Sequence, residues 1–167
     1  FHTHCTPGYG LASVVSAIAS GADVVDTNIW YFAEGPAAPA IELIYLFCKK
    51  MDVELDIDME AVAKINAELY EIRKELAAYD TVKQFPNPFN PLKDELPDDV
   101  DRQFDTAVDA VNRGDEAALL EACHAIERYF GFPKPNLLVQ KAEIPGGMYT
   151  NMVAQLKQLK AEEILPR

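Results

Sequence analysis

The 167 residues suit one ordinary domain, or part of a larger one, and 49% apolar content is enough to build a real core. Fifteen Lys and Arg against 27 Asp and Glu leave a formal net charge of −12. This excludes the clustered cations that nucleic acid or an anionic membrane surface demands, and no apolar run approaches the length of a membrane span.

The first residues, Phe1-His2-Thr3-His4, read as the end of a strand, and residues 6–10 as a loop. Leu11, Val14, Val15 and Ile18 then recur at helical spacing, with Gly21 placed as a C-terminal stop. Residues 22–27, Ala-Asp-Val-Val-Asp-Thr, are short, β-branched and abruptly polar at their end, which predicts a buried parallel strand. Glu34-Gly35-Pro36 breaks the chain before an apolar helix over residues 37–51 carrying Ile41, Leu43, Ile44, Phe47 and Cys48. Strands joined through helices predict a parallel sheet with helical cover.

From Asp52 the strand signals stop. Val62, Ile65, Leu69, Ile72 and Leu76 step by three and four, an amphipathic helix that Asp56 or Asp58 can cap. The three prolines of residues 85–91 forbid helix, so this stretch reads as an ordered connector with two packing Phe residues. Two helices follow. One carries Val100, Phe104, Val108 and Val111 and stops at Gly114. The other starts near Asp115, carries Leu119, Cys123, Ile126 and Phe130, and stops at Gly131. Residues 132–135 break the chain, and Pro145-Gly146-Gly147 turns into a last helix with Met152, Leu156 and Leu159.

Cys5, Cys48 and Cys123 are odd in number and none forms a CxxC pair. This argues against a disulfide framework or a zinc knuckle and for buried thiols in a reducing, cytoplasmic compartment. His2 and His4 are the chemically notable pair. Residues two apart in a strand project to one side, so both imidazoles can reach one divalent cation. Alone, an HxH is weak evidence, because it occurs by chance and two ligands do not complete a site. The context strengthens it: the pair ends a strand-like segment, and Asp26 and Thr27 end the next one, where parallel α/β barrels carry functional residues. The third histidine, His124, reads as a surface or partly packed helix residue.

The segment "HTHCTPG" resembles the HxH(D/C)T(S/T)G stretch of the biotin-dependent carboxyltransferases. "GADVVDTNI" is similar to a strand of that family, and "EIPGGMYTNM" to its PGG(M/Q) segment with Thr or Ser before Asn. The three occur in family order and cover about residues 1–80 and 140–167. The resemblance implies an α/β fold: the C-terminal part of a TIM (β/α)8 barrel in residues 1–51, its last two strand–helix units, then a helical extension in residues 52–167. It implies a divalent metal (zinc, manganese or cobalt) held by His2 and His4 together with an aspartate and a carbamylated lysine from earlier strands. Those two ligands, and the arginine that grips the substrate carboxylate, are expected upstream of this chain, which reads as a C-terminal fragment inactive alone. Thr150 matches the hydroxyl that passes a proton between the enolate and biotin.

The implied activity moves a carboxyl group between carboxybiotin and a keto acid, pyruvate or oxaloacetate. Biotin is expected on a separate carrier domain, since no AMKM-type attachment motif is present. Biotin carboxylase or decarboxylase subunits are the expected partners of a homo-oligomer, without nucleic acid or direct membrane insertion. Residues 83–139 depart from the family as an insertion available for partner contact, and the stretch beginning Trp30-Tyr31-Phe32 departs as well. Two alternatives stay open. One is a sister barrel enzyme of the hydroxymethylglutaryl-CoA lyase or isopropylmalate synthase type, which lacks the PGGM segment. The other is a non-catalytic helical interaction module.

Overall fold

A computed structural model describes residues 1–80, 85–142 and 146–164. They are mostly helical: α1 (Gly10–Ala19), α2 (Ile41–Lys50), α3 (Met59–Leu76), α4 (Asp98–Arg113), α5 (Glu116–Phe130), α6 (Leu137–Ala142) and α7 (Gly146–Gln158), with short 3-10 turns at Trp30–Phe32, Ala77–Tyr79 and Glu162–Ile164.

The helix ends follow local chemistry. The Asp58 carboxylate accepts the free N–H groups of Glu60 and Ala61 at 3.0 Å, and Asp115 accepts that of Ala118 at 3.1 Å. Gly114 and Gly131 end α4 and α5 in the left-handed conformation, φ +69° and +77°, where a Cβ would be strained. Residues 85–91 form no helix. Phe89 stacks at 5.4 Å on Trp30 and Phe85 lies 6.0 Å from Tyr31, so both connector phenylalanines do pack.

The expected strand over residues 22–27 does not form. Phe1 N donates to Val24 O and Asp26 N to Phe1 O, while Asn28 and Ala40 form one isolated parallel bridge. Three extended segments (residues 1–5, 24–28 and 37–40) thus lie side by side in parallel, tied by single rungs. A ladder needs successive residues bonded on an edge. Here Val24 is 71% exposed and only its neighbour Val25 packs partly against the core, so the run is not the buried strand its composition suggested. Of the expected parallel sheet one bridge is present, and its second partner, Ala40, belongs to a stretch read as helix that precedes α2 instead.

The core is helical. Leu11, Val14 and Val15 of α1, Leu43, Ile44 and Phe47 of α2, Phe104 and Ala107 of α4, and Leu119, Cys123 and Ile126 of α5 form one buried cluster. Phe47 and Phe104 meet at 4.8 Å, and Lys50 at the end of α2 bridges Asp101 and Asp105 on α4. The α4–α5 pair, within the region read as an insertion, therefore supplies nine of the 24 buried residues of that cluster. Trp30 is fully buried against Phe89, Phe130 and Phe132 and donates its indole N–H to Asn87 O at 2.9 Å. It joins the early turn to the connector and to the end of α5. All three cysteines are free and buried. Among the described residues no helix is long and apolar enough to cross a membrane.

Candidate metal centre

His2 and His4 lie on the first extended segment, before the turn into α1. The segments beside it supply what holds the rings. His2 Nδ1 lies 2.8 Å from the Asp26 carboxylate, and His4 Nδ1 lies 2.6 Å from the carbonyl of Pro36. A carbonyl and a carboxylate only accept, so both Nδ1 atoms carry the hydrogen. In neutral rings both Nε2 atoms then present lone pairs. Those two atoms face each other at 3.2 Å.

Two lone pairs at that distance repel unless something positive lies between or beside them, a proton or a metal cation. Zinc–imidazole bonds of about 2.0–2.1 Å at a tetrahedral angle place two ligand nitrogens roughly 3.3 Å apart. The observed separation fits. Hydrogen bonding of the far ring nitrogen to a carboxylate or carbonyl is also the arrangement that orients metal-bound imidazoles and raises their basicity. The His2 and Asp26 side chains are 60% and 61% exposed, so the converging face is open to further ligands. Among the described residues no group of three His, Cys, Asp or Glu side chains is placed to hold a metal. The geometry of the pair suits two positions of a coordination sphere and supplies no third.

The loop behind the pair is tightly held. Cys5 N donates to Ala37 O and Thr6 Oγ1 to Gly35 O. Gly8 has φ +91°, and a Cβ there would stand 2.5 Å from Pro135, so only glycine fits. His124 donates from Nε2 to Gly8 O at 2.7 Å, which makes it a packed structural residue of α5. Next to Cys5 lie two buried acids, Glu34 and Glu127, only 2% and 7% exposed. Burial, and for Glu127 the neighbouring Glu34, pushes both carboxyls well up, Glu127 to about 10. The pair therefore holds a proton at neutral pH. Burial also pushes the Cys5 thiol up, so it is no nucleophile.

Of the residues singled out in the sequence, His2 and His4 are brought together. Thr150 lies in α7, but its side chain is outside the described residues, as are all of Ile144 and Pro145. Sequence reasoning placed Asp26 at the end of a strand without assigning it to His2. It missed the Pro36 carbonyl, since a backbone oxygen leaves no trace in side-chain identity. It also missed Glu127, although an acid one helical turn after Cys123 on an apolar face was a readable signal.

Comparison with known proteins locates the likeness. Over 168 aligned positions the chain is 27% identical to a pyruvate carboxylase protein, the B subunit, of Methanothermobacter thermautotrophicus, covering 98% of this chain and 21% of that protein. It is 25% identical to the protein of the same name from Methanocaldococcus jannaschii, with the same coverage. The resemblance to the biotin-dependent carboxyltransferases thus extends along nearly the whole chain, including the region read as an insertion. The chain spans about a fifth of the length of these curated relatives. No profile of a known family and no solved structure matches it.

Proposed function

We propose that this chain forms part of a metal-dependent, biotin-dependent carboxyltransferase that moves a carboxyl group between carboxybiotin and a keto acid of the pyruvate/oxaloacetate type. The observation that carries the reading is the convergence of the His2 and His4 Nε2 atoms, each ring oriented from behind by Asp26 or Pro36. The likeness to the two pyruvate carboxylase proteins supports the reaction class. In this reading residues 1–51 are the end of a TIM barrel and residues 52–167 its helical extension, with the remaining metal ligands in other parts of the polypeptide.

A zinc, manganese or cobalt ion bound here supplies Lewis-acid polarisation at the keto oxygen, which makes the neighbouring methyl group of pyruvate acidic. The chain's own residues do the rest. His2 and His4 hold two coordination positions, and Asp26 and the Pro36 carbonyl keep both Nδ1 atoms protonated so that both Nε2 lone pairs face the ion. Thr150 is the proposed relay: its hydroxyl accepts the proton leaving the pyruvate methyl and donates its own to the biotin ureido nitrogen that has lost CO2. The carbon–carbon bond forms between that methyl carbon and CO2, giving oxaloacetate and free biotin; the reverse direction decarboxylates oxaloacetate. The partners proposed are a biotin carrier domain, biotin carboxylase or decarboxylase subunits and further copies of the protein, in the cytoplasm.

The test is made on the full-length protein. Metal content and exchange of carboxyl groups between oxaloacetate and biotin are measured for wild type, His2→Ala, His4→Ala and Thr150→Ala. Both histidine variants are expected to lose stoichiometric metal and activity, while Thr150→Ala keeps the metal and loses exchange by about 100-fold or more. Metal retained in both histidine variants, or exchange unaffected by Thr150→Ala, refutes the assignment.

A further inference from the structure

The two segments that meet at His4 are bonded in register. Three successive carbonyls accept from three successive residues. Gly35 O accepts from Thr6 Oγ1 at 3.1 Å, Pro36 O from His4 Nδ1 at 2.6 Å and Ala37 O from Cys5 N at 2.9 Å. The aim of the His4 ring therefore depends on where residues 4–6 lie along residues 35–37. A slip of that register takes the Pro36 carbonyl away from Nδ1 and frees the ring to turn.

The same loop is gripped from far along the chain. Asn136 N donates to Thr6 O at 2.8 Å, His124 Nε2 donates to Gly8 O at 2.7 Å, and Gln140 Nε2 donates to the Tyr9 hydroxyl. A Cβ on Gly8 would stand 2.5 Å from Pro135, and one on Gly35 would stand 3.3 Å from Pro133. The stretch from His124 to Gln140 thus presses on both segments. Two of its donors reach loop carbonyls. The Asn136 donor is a backbone N–H, which any residue but proline supplies; the His124 donor is a side chain and so depends on residue identity. It is mounted on α5, which Cys123, Ile126 and Phe130 bury in the core. Gly8 N donates back to Cys5 O at 2.8 Å, closing the turn onto the neighbour of His4. The path from α5 to the ring is then one side-chain hydrogen bond, one turn hydrogen bond and one peptide link.

We propose that His124 is a positioning residue for the histidine pair: it fixes the turn of residues 5–8 on α5, so that His4 stays in register with the Pro36 carbonyl. The third histidine thereby serves a site it does not touch. The consequence for metal rests on the metal-site reading, while the grip on the loop is independent of it.

The full-length protein is compared with His124→Leu, a good helix former without the donor, and His124→Gln, whose amide can still donate. Hydrogen–deuterium exchange is read on metal-free protein for peptides covering residues 4–9 and 34–38, and Co2+ affinity by absorption titration. Far-UV circular dichroism and Trp30 emission verify the fold at the assay temperature. His124→Leu is expected to speed exchange in both peptides by about 10-fold, the worth of one hydrogen bond, with α2 and α4 unchanged. It is also expected to weaken Co2+ binding by about 10-fold, the low end of effects at groups behind metal ligands. His124→Gln is expected to stay within about 3-fold of wild type on both readouts. Four results overturn the proposal: unchanged exchange in His124→Leu, acceleration spread evenly over the helices, loosened peptides with undiminished Co2+ affinity, or a His124→Gln as loose as His124→Leu. Where His124→Leu does not fold, wild type carrying isotope-labelled histidine decides by nuclear magnetic resonance. The Nε2 proton of His124, assigned by its loss in His124→Gln, is expected to exchange about 10-fold more slowly once Zn2+ is bound, and a rate indifferent to Zn2+ overturns the proposal. A wild type that binds no Co2+ at His2 and His4 refutes the proposed function, and the exchange data still decide whether His124 holds the loop.

Discussion

Asp26 shows how much one side chain can decide. Without it, His2 Nδ1 has no fixed acceptor and the ring is free to turn Nε2 away from His4. On the proposed metal-site reading, Asp26→Ala is expected to weaken metal binding about 10- to 100-fold without removing it, while Asp26→Asn, whose amide oxygen still accepts, costs less; competition with a chromophoric chelator measures both. Glu42 is a second residue with an outsized effect. Its Oε1 accepts the backbone N–H of Trp30 at 3.4 Å, but its buried Oε2 has no hydrogen-bond partner among the described residues, and Glu42 and Asn66 line a cavity of about 30 Å³ sized for one water. Burial pushes its carboxyl up to about 7. The folded protein then binds a proton that the unfolded chain releases, so this group's contribution is full below about pH 4.5 and is lost as pH rises through about 7. The loss amounts to roughly 3 kcal/mol at most. Glu42→Gln is expected to flatten that decline, and urea unfolding at pH 5 and pH 8 measures it; an unchanged difference between the two pH values refutes it.

At the scale of elements, the helices rest on packing as much as on propensity. Phe104 of α4 is fully buried against Phe47 of α2. Phe104→Ala is expected to cost about 3–5 kcal/mol through lost burial and the cavity left behind, read from the shift of the denaturant midpoint. Helix α3 behaves differently. Its three- and four-residue stepping is real, but Ile65, Ile72 and Leu76 are 48%, 49% and 43% exposed, while Tyr70 and Arg73 make the contacts to Tyr31 and Phe85. Amphipathic spacing tells that a helix has an apolar face. It does not tell what covers that face, because the covering surface belongs to another element.

For the whole molecule the joining residue is Trp30, the one tryptophan, set where the early turn, the connector and the end of α5 meet. If the first 51 residues and the α4–α5 pair form one cooperative unit, the red shift of Trp30 emission and the loss of helical circular dichroism share a single denaturant midpoint. Two separated midpoints would falsify that unity. The acid pair between Glu34 and Glu127 ties the same two regions together. It keeps a proton at pH values where the unfolded chain has released it, so its contribution is full below about pH 4.5 and declines as pH rises towards about 10.

The sequence by itself determined those helix ends that caps and breakers set locally: Asp58, Asp115, Gly114, Gly131 and the prolines of residues 85–91 act as read, whereas α2 begins at Ile41 rather than residue 37 and α6 was not read at all. It also determined which two imidazoles share a side, since that follows from a two-residue repeat. The tertiary structure alone decided the rest. It replaced the strand of residues 22–27 with single rungs, since a strand exists only through its neighbours. It turned two histidines into a directed pair through Asp26 and a backbone carbonyl, distant in sequence and close in space. It also put two acids from residues 34 and 127 against each other, a contact no local pattern encodes.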